Sequence, residues 1–393
     1  MAKTGEIHLV PDTLEELVAK IRRDHIDLTD KEMKTGSKIV ADVTAALERL
    51  SADPKSVPIL GGTIFRAGSF GRRTQAQPLD DLDLFIPLDG RAMRLESPDN
   101  VPTRERLVAG NTDKPIGCDT SLHSGDWVDS RAVLDRAVDA LPRLPLDTTH
   151  SGKNPRGRCA HITYVGINVD LVFVLWSEHP TIDRYHLPSG TDHTWRTANP
   201  KNDQDRLSKA NQSEHSELLL PTIRCLKAWN DHVCGGRLKS IHLEVLATET
   251  LFKNTPITST VSALTYAFDA LPDALDKPCP DPTGLGPDLD STLHWEDRAW
   301  VKDAARKAFK EAAVANKLAD TDVAAAGARW HDILLTKGKE APKRNRGPAQ
   351  AGRHDNEFGQ PAHRCADAKV PPPLPSQRAA RPSNQASRRG EYA

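Results

Sequence analysis

The chain has 393 residues, of which 38% are apolar and 29 are prolines, so it is long enough for two domains but too rich in proline to be packed throughout. Residues 338–393 contain eleven Lys or Arg and five Asp or Glu, a net charge of +6, which leaves about −7 on residues 1–337 within the total of −1. This balance argues against a generic polyanion-binding protein, because long nucleic acids are bound through many Lys and Arg contacts. A basic groove confined to one part of the surface is still compatible with this net charge.

The six cysteines are scattered and form no Cys-x-x-Cys pair. The sequence shows neither a signal peptide nor an apolar run of transmembrane length, so we expect a cytoplasmic protein with reduced thiols and no membrane contact. Cys225, His232 and Cys234 lie close in sequence, but a structural zinc site normally needs four ligands and no convincing pair accompanies them. We therefore do not expect zinc there.

Two helices are predicted in the first 50 residues, over residues 12–30 and 31–50, because apolar residues recur there at spacings of three and four. Thr13 with Glu16 is a capping-box pattern at the start of the first helix. Prolines and glycines then lead into a short strand predicted over residues 61–65.

A glycine–serine turn followed by alternating aspartates is the most informative stretch, with the sequences GSFGRRT (68–74) and PLDDLDLF (78–85). Residues two apart in a strand share a face, so Asp81 and Asp83 are presented together. The backbone at Gly68-Ser69 can turn sharply and offer amide N–H groups and a hydroxyl to a phosphate. Carboxylates facing phosphates suggest a bridging Mg²⁺ ion and therefore nucleotidyl transfer.

The middle of the chain predicts a turn at residues 87–90, a loop-rich region at 91–125 and a helix at 130–141. Two apolar runs, residues 159–165 and 167–175, are split by Gly166 and predict a pair of strands. Asp170 lies inside the second run. A buried carboxylate is costly unless it is paired or binds a metal, so Asp170 either joins the acidic site, pairs with an arginine or caps the strand end.

From about residue 191 the pattern becomes helical, with helices predicted over residues 218–229, 296–315 and 320–335. Beyond residue 337 the composition shifts to Arg, Pro, Gln and Ala without hydrophobic periodicity, and this predicts a disordered tail. Its proline run at 371–375 is either a polyproline ligand or a spacer.

The glycine–serine turn and the two aspartates resemble the signature of the polymerase-beta-type nucleotidyltransferase superfamily. The longer string resembles its CD-NTase family, which includes bacterial cyclic oligonucleotide synthases, DncV-like enzymes, cyclic GMP-AMP synthase and oligoadenylate synthase. The resemblance covers about residues 10–335. It implies an α/β fold: a nucleotidyltransferase core with a mixed sheet and N-terminal helices (1–190), a helical domain resembling that of oligoadenylate synthase (191–337) and a tail (338–393), with the active site in the cleft.

The resemblance also implies roles for single residues. Asp81, Asp83 and Asp170 match the triad that holds two Mg²⁺ ions, for which Mn²⁺ can substitute. Gly68 and Ser69 match the turn that binds the donor triphosphate, and the helical-domain motifs place Lys227 and Ser240 across the cleft. The alternatives are a solvated lysine at 227 and a helix N-cap at 240. Ile241 stands where some relatives have an aromatic residue that stacks on a base.

The function implied is the condensation of ATP with itself or with another nucleoside triphosphate, such as GTP or a pyrimidine nucleotide, into a cyclic oligonucleotide messenger of antiviral (anti-phage) defence. Regulatory or effector proteins of a defence operon are the expected partners, with the tail as a place where they could act, and no nucleic-acid activator is indicated. Two alternatives stay open. One is a linear oligoadenylate synthase, or an enzyme that transfers nucleotides to RNA or a small molecule; the other is a non-catalytic nucleotide-binding scaffold, which the intact aspartate set disfavours.

Overall fold

The computed structural model describes residues 13–52, 60–90, 93–96, 105–109, 119–153, 158–177, 184–190 and 192–337. The α-helices of this part are α1 (Leu14–His25), α2 (Asp30–Ser51), α3 (Gly68–Arg72), α4 (Ser130–Ala140), α5 (Pro200–Lys209), α6 (Leu219–His232), α7 (Ser240–Leu246), α8 (Thr260–Ala274), α9 (Trp295–Leu318) and α10 (Val323–Leu335). The strands are β1 (Phe65–Ala67), β2 (Asp81–Asp89), β3 (Met93–Glu96), β4 (Arg106–Ala109), β5 (His123–Ser124), β6 (Trp127–Val128), β7 (Thr148–Lys153), β8 (Ala160–Tyr164), β9 (Ile167–Ser177), β10 (Arg184–Pro188) and β11 (Trp195–Ala198).

Both N-terminal helices begin at capping boxes. The predicted box of Thr13 with Glu16 is confirmed at α1, and a second box, Thr29 with Glu32, begins α2. The predicted end of the first helix, residue 30, is wrong by five residues because α1 ends at His25, whereas α2 matches its predicted bounds to within one residue at each end. The second capping box explains this, since Thr29 has extended backbone and satisfies the first amides of a new helix.

The main sheet has seven strands, with the path β1-β2-β9-β10-β11 and with β8 pairing both β7 and β9. The β2–β9 pair is parallel and the other pairs are antiparallel. One face of the sheet packs against α2 and α4, through residues such as Leu84, Val43 and Leu134. The other face carries a smaller apolar cluster that includes Phe85 and Val172. The two central strands are thus held from both sides, which is typical of parallel pairs.

The structure corrects two predictions near β2. The turn predicted at residues 87–90 is wrong, because Pro87 to Asp89 continue β2 alongside β9. Pro87 is tolerated because β1 stops pairing with β2 at Phe85, so a missing N–H at Pro87 interrupts no β1 bond. The strand predicted at 61–65 instead begins at Phe65, and Gly61 lies against the backbone of Asp89.

The strand pair predicted on either side of Gly166 is confirmed as β8 and β9, which pair directly across that turn. Val165 and Gly166 both have positive φ, of 53° and 76°, and such a conformation is typical of tight hairpin turns. The helix predicted at 130–141 is confirmed as α4, which Asp129 caps. In the region predicted to be loop-rich, the described residues form a small sheet of order β3-β4-β6-β5.

The helical half of the molecule has its own core. Residues of α6 to α10, among them Trp229, Phe268 and Trp330, form this core together with Val18 and Ile26 at the N-terminal end of the chain. The helices begin at Pro200 rather than at 191, because Trp195–Ala198 is the edge strand β11. The helices predicted at 218–229, 296–315 and 320–335 are confirmed as α6, α9 and α10. The domain limits at 190 and 337 stay predictions.

The predicted disordered tail, residues 338–393, lies outside the described residues. Among the helices of the described ranges, none combines the length and apolar character needed to cross a membrane.

Candidate active site

The predicted phosphate-binding turn is the five-residue helix α3, which follows β1 directly. Gly68 has a φ of +60°, in the left-handed region that favours glycine. A Cβ placed on Gly68 would lie 1.9 Å from Oδ2 of Asp83, so the turn rests directly on the second aspartate. Arg73, the residue directly after α3, has a left-handed conformation, and the N–H of Thr74 donates to the carbonyl of Ser69 at 2.9 Å. Glycine at position 68 is what permits both the backbone conformation and the close approach to Asp83.

The predicted aspartates share one face of the sheet. Asp81 and Asp83 are two apart in β2, whose alternation buries Leu82 and Leu84 on the other face. In the parallel ladder, Asp83 pairs directly with Asp170 of β9, and paired residues of neighbouring strands point to the same side. The backbone therefore brings together all three acids.

Asp170 contacts a histidine that the sequence analysis did not name as its partner. His161 faces it across the antiparallel β8–β9 ladder, and Nδ1 of His161 lies 2.7 Å from Oδ1 of Asp170. Asp170 is 8% exposed, so this contact satisfies a carboxylate that burial would otherwise penalise. The buried thiol of Cys159 lies nearby; burial raises its pKa well above the ordinary value, and the charges of Asp170 and Asp83 raise it further.

Asp81 is held from the loop that joins α3 to β2. The side-chain Nε2 of Gln75 donates to the carbonyl oxygen of Asp81 at 3.2 Å and to its Oδ1 at 3.1 Å. Gln75 is buried, with 7% of its surface exposed. The loop that follows the phosphate-binding turn thus also orients the first carboxylate.

Lys227 of α6 is 5% exposed, and so the alternative of a solvated lysine is wrong. Its Nζ lies 3.3 Å from Oγ1 of Thr74 and 3.3 Å from Oε1 of Glu244. Thr74 is bonded through its N–H to Ser69, so Lys227 reaches the predicted turn through one intervening residue. The structure therefore connects Gly68, Ser69 and Lys227 into one region.

Ser240 is the first residue of α7, and the N-cap position is occupied by Lys239, whose side chain makes no capping bond. The N-cap alternative for Ser240 therefore does not describe this helix. Ser240 lies four residues before Glu244, on the same short helix. Its contact with a phosphate stays a prediction.

The donor set at the acidic face consists of hard carboxylate oxygens, the ligands that Mg²⁺ prefers. Within the described ranges, no three His, Cys, Asp or Glu side chains are already arranged around a common metal position. Three carboxylates on one face, with Asp83 against Gly68, still fit divalent cations, because rotation of the side chains can bring their oxygens together. Away from this face, burial raises the pKa of the Cys225 and Cys234 thiols to about 12.

A separate groove of about 650 Å³ lies in the helical half, between α6, α9 and α10. Its lining includes Trp229, Trp300 and Arg329, and none of the seven predicted site residues. It is therefore not the cleft that the sequence predicts.

Comparison with known proteins finds a curated relative and solved structures of similar fold. No family model matches the chain. A curated relative from Bacillus cereus (strain VD146), named a probable cyclic nucleotide synthase, is 23% identical over 253 residues, which is 64% of this chain and 74% of the relative. Two solved structures of CdnC from E. coli MS115-1 have a similar fold.

The CdnC:HORMA-deltaN complex gives a TM-score of 0.59 at 15% identity, over 83% of this chain and 98% of CdnC. CdnC with ATP gives 0.58 at 16% identity, over 84% of this chain and the whole of CdnC. These structural matches confirm the fold class that the sequence predicted, and the name of the curated relative agrees with the family resemblance.

Sequence reasoning missed the partners of the candidate residues. The sequence analysis assigned no role to Glu244, and it included Arg72 and Thr74 only as part of the stretch 68–74. His161 carried a signal, since it is a polar residue inside an apolar strand next to the strand of Asp170. Glu244, Arg72 and Thr74 acquire their partners through contacts between distant segments, whereas His161 meets Asp170 across the local β8–β9 hairpin.

Proposed function

We infer that this chain is a nucleotidyltransferase of the CD-NTase family and a cyclic oligonucleotide synthase. One observation carries this inference: Asp81, Asp83 and Asp170 share one face of two paired strands, directly beside the turn at Gly68. The curated relative and the CdnC structures support it independently. ATP is the first candidate substrate, because one of those structures contains it.

Asp81, Asp83 and Asp170 would hold two Mg²⁺ ions, with Mn²⁺ as a substitute. When bound, such ions supply charge neutralisation at the donor phosphates and lower the pKa of the attacking hydroxyl. Gln75 keeps Asp81 oriented, and His161 keeps Asp170 oriented, so that two of the three acids are held from outside the site.

The chain's own residues bind and orient the donor. The backbone N–H groups and the hydroxyl at Gly68-Ser69 bind phosphate oxygens, Lys227 adds a positive charge and Ser240 a hydroxyl. The acceptor hydroxyl oxygen bonds to the α-phosphorus, the bond from that phosphorus to pyrophosphate breaks, and the hydroxyl proton passes to solvent. Positioning and charge stabilisation supply most of the acceleration in such transfers. A second transfer within the linear product closes the ring.

A role in anti-phage signalling and a regulatory protein partner belong to the same proposal. The support for a partner is that CdnC, which has a similar fold, has been solved in a complex with HORMA-deltaN. The support for signalling is the product class alone.

The test is release of pyrophosphate from ATP, alone and with the other three nucleoside triphosphates, in Mg²⁺ or Mn²⁺. We expect release that stops when a chelator is added. A folded preparation that binds ATP but releases no pyrophosphate under any of these conditions would support the non-catalytic scaffold instead.

A further inference from the structure

A buried group of four side chains joins the two halves of the molecule. We call it the Glu244 cluster, and it consists of Arg72, Thr74, Lys227 and Glu244. Nε of Arg72 donates to Oε2 of Glu244 at 2.6 Å, and the hydroxyl of Thr74 donates to Oε1 at 2.5 Å. Nζ of Lys227 lies 3.3 Å from Oε1 of Glu244 and 3.3 Å from the Thr74 hydroxyl.

The cluster connects segments that are far apart in the chain. Arg72 ends α3, the predicted phosphate-binding turn, and Thr74 follows it, whereas Lys227 and Glu244 belong to α6 and α7. The side chain of Glu244 is 3% exposed, that of Arg72 5% and that of Lys227 7%. The Glu244 carboxylate is therefore a buried point of contact between the turn and the helical half, beside the exposed bond that Arg224 of α6 donates to the carbonyl of Arg73 at 2.8 Å.

Burial of these charges would be costly without their mutual contacts. Burial raises the pKa of Glu244, but the charges of Arg72 and Lys227 outweigh that effect and hold the pKa below its ordinary value, so the carboxylate is ionised. Two basic side chains, Arg72 and Lys227, therefore contact this one carboxylate.

The hydrogen-bond distances within the cluster distinguish Arg72 and Thr74 from Lys227. Arg72 and Thr74 are held at 2.5–2.6 Å, whereas both contacts of Lys227 measure 3.3 Å. An ammonium group has three N–H donors, and the two contacts of Lys227 account for two of them. The turn is therefore fixed firmly to Glu244, and Lys227 keeps the capacity to bond a phosphate oxygen as well.

We propose that Glu244 is a positioning residue for the donor site: its carboxylate ties the phosphate-binding turn to the helix of Lys227, so that both contact the same triphosphate at a fixed separation. Glu244 itself does not touch the substrate. This inference rests on the proposed function, because it concerns how the donor triphosphate is held.

The test compares Glu244→Gln and Thr74→Val with the wild type. Glu249→Gln is the matched control, since it breaks an ion pair with Arg206 in the same helical stretch without touching the turn. The first readout is amide hydrogen exchange over residues 66–76, which needs no enzyme activity. We expect faster exchange in Glu244→Gln and Thr74→Val, no change in Glu249→Gln, and restored protection in Thr74→Ser, which keeps the hydroxyl.

The second readout is steady-state kinetics with ATP. A misplaced donor site should lower kcat by about tenfold or more in both variants, with a smaller change in KM, because a small misplacement of reacting groups is expensive. Wild-type exchange at residues 66–76 in folded Glu244→Gln or Thr74→Val, or a kcat within about twofold of the wild type, overturns the proposal.

Different results would contradict the proposed synthase function and the positioning role of Glu244. If wild-type protein forms no product while the exchange pattern is as expected, the proposed function is wrong and the tie between turn and helix stands. If Glu244→Gln does not fold, Thr74→Val decides, because it removes one hydroxyl at nearly constant volume.

Discussion

At the scale of single residues, Gly68 decides whether the turn and the acidic face can meet. Its φ of +60° is one reason for glycine, and the 1.9 Å that would separate a Cβ at this position from Oδ2 of Asp83 is a second. Gly68→Ala should therefore lower the free energy of unfolding by more than about 1 kcal/mol and reduce synthesis by about 100-fold, because Asp83 must move. Thermal unfolding and pyrophosphate release measure the two effects.

Gly125→Ala is the matched control for Gly68→Ala. Gly125 has a φ of +69°, and nothing lies within 4 Å of its Cβ position. It carries the same conformational strain without the clash, so stability should fall and activity per folded molecule should not. Equal losses of activity in the two variants would show that the contact with Asp83 has no catalytic importance.

Asp83→Asn should separate function from stability. If Asp83 holds metal beside Asp81 and Asp170, the substitution removes a ligand and also relieves repulsion between carboxylates. We expect synthesis to be abolished and the Tm to be unchanged or raised, with Asp126→Asn in the exposed β5–β6 turn as the control. Near-normal synthesis by folded Asp83→Asn would remove this residue from the site.

The sequence predicts the residues of the site better than it predicts their partners. Asp81, Asp83 and Asp170 stand out because each is an acid within an alternating or apolar strand. The partner of Lys227 could not be predicted, since Glu244 reaches it only when α6 packs against α7. His161 faces Asp170 within the predicted β8–β9 pair, but the register of that pair was left open by the sequence. A pairwise contact between distant segments leaves no periodic signal.

At the scale of elements, the carboxylate of Glu32 joins the start of α2 to the loop that precedes β2. Its Oε2 accepts from the N–H and the hydroxyl of Thr29 at 2.8 and 2.7 Å, and its Oε1 accepts from the N–H of Leu79 at 3.1 Å. Burial raises the pKa of Glu32, but these hydrogen bonds outweigh it and leave the pKa below its ordinary value of 4.5. One carboxylate thus caps α2 and fixes the loop before Asp81.

Glu32→Gln should lower the free energy of unfolding at pH 7 by about 1 kcal/mol, because the amide can accept at only one of its two polar atoms. The pKa of Glu32 is lower in the folded protein than in the unfolded chain, so its ionised carboxylate stabilises the fold above the unfolded-state pKa of 4.5. That stabilisation is lost as the pH falls through the folded-state pKa. The difference between wild type and variant should therefore shrink below pH 4.5. Denaturant unfolding across about pH 3–7 measures this.

Glu16→Gln is the comparison for Glu32→Gln, because Glu16 occupies the equivalent position in the capping box of α1. A stability difference for Glu32→Gln that stays the same from neutral to acidic pH would contradict the role of the ionised carboxylate.

Elements that carry their own turn residue or cap were predicted from the sequence. Elements whose limits depend on pairing with another strand were not. The β8–β9 hairpin and α4 have their own turn residue or cap. The continuation of β2 through Pro87 was missed because proline signals a turn, and it is β9 that extends the strand to Asp89. The end of α1 at His25 was missed because Ile26 continues the apolar spacing of the helix although it is already the C-cap residue.

At the scale of the whole molecule, all seven candidate residues belong to the described part of the chain before residue 338. Residues 338–393 have a composition without a core-forming pattern. Deleting them should therefore leave the Tm within a few degrees of the full chain and basal synthesis within about twofold. A truncated protein that folds but makes no product would show that this segment completes the site.

The central claim is that the two halves enclose one donor site at which a linear intermediate is closed into a ring. Holding the intermediate in one cleft brings its free hydroxyl close to its own 5′-triphosphate. The most direct measurement is mass spectrometry of the product made by the wild type from all four nucleoside triphosphates with Mg²⁺ or Mn²⁺, before and after phosphatase treatment. We predict a phosphatase-resistant species whose mass equals that of its nucleoside monophosphates less one water per linkage, absent with Asp81→Asn and reduced with Lys227→Ala. Exclusively linear, phosphatase-sensitive products, or nucleotides added to RNA, would contradict the claim.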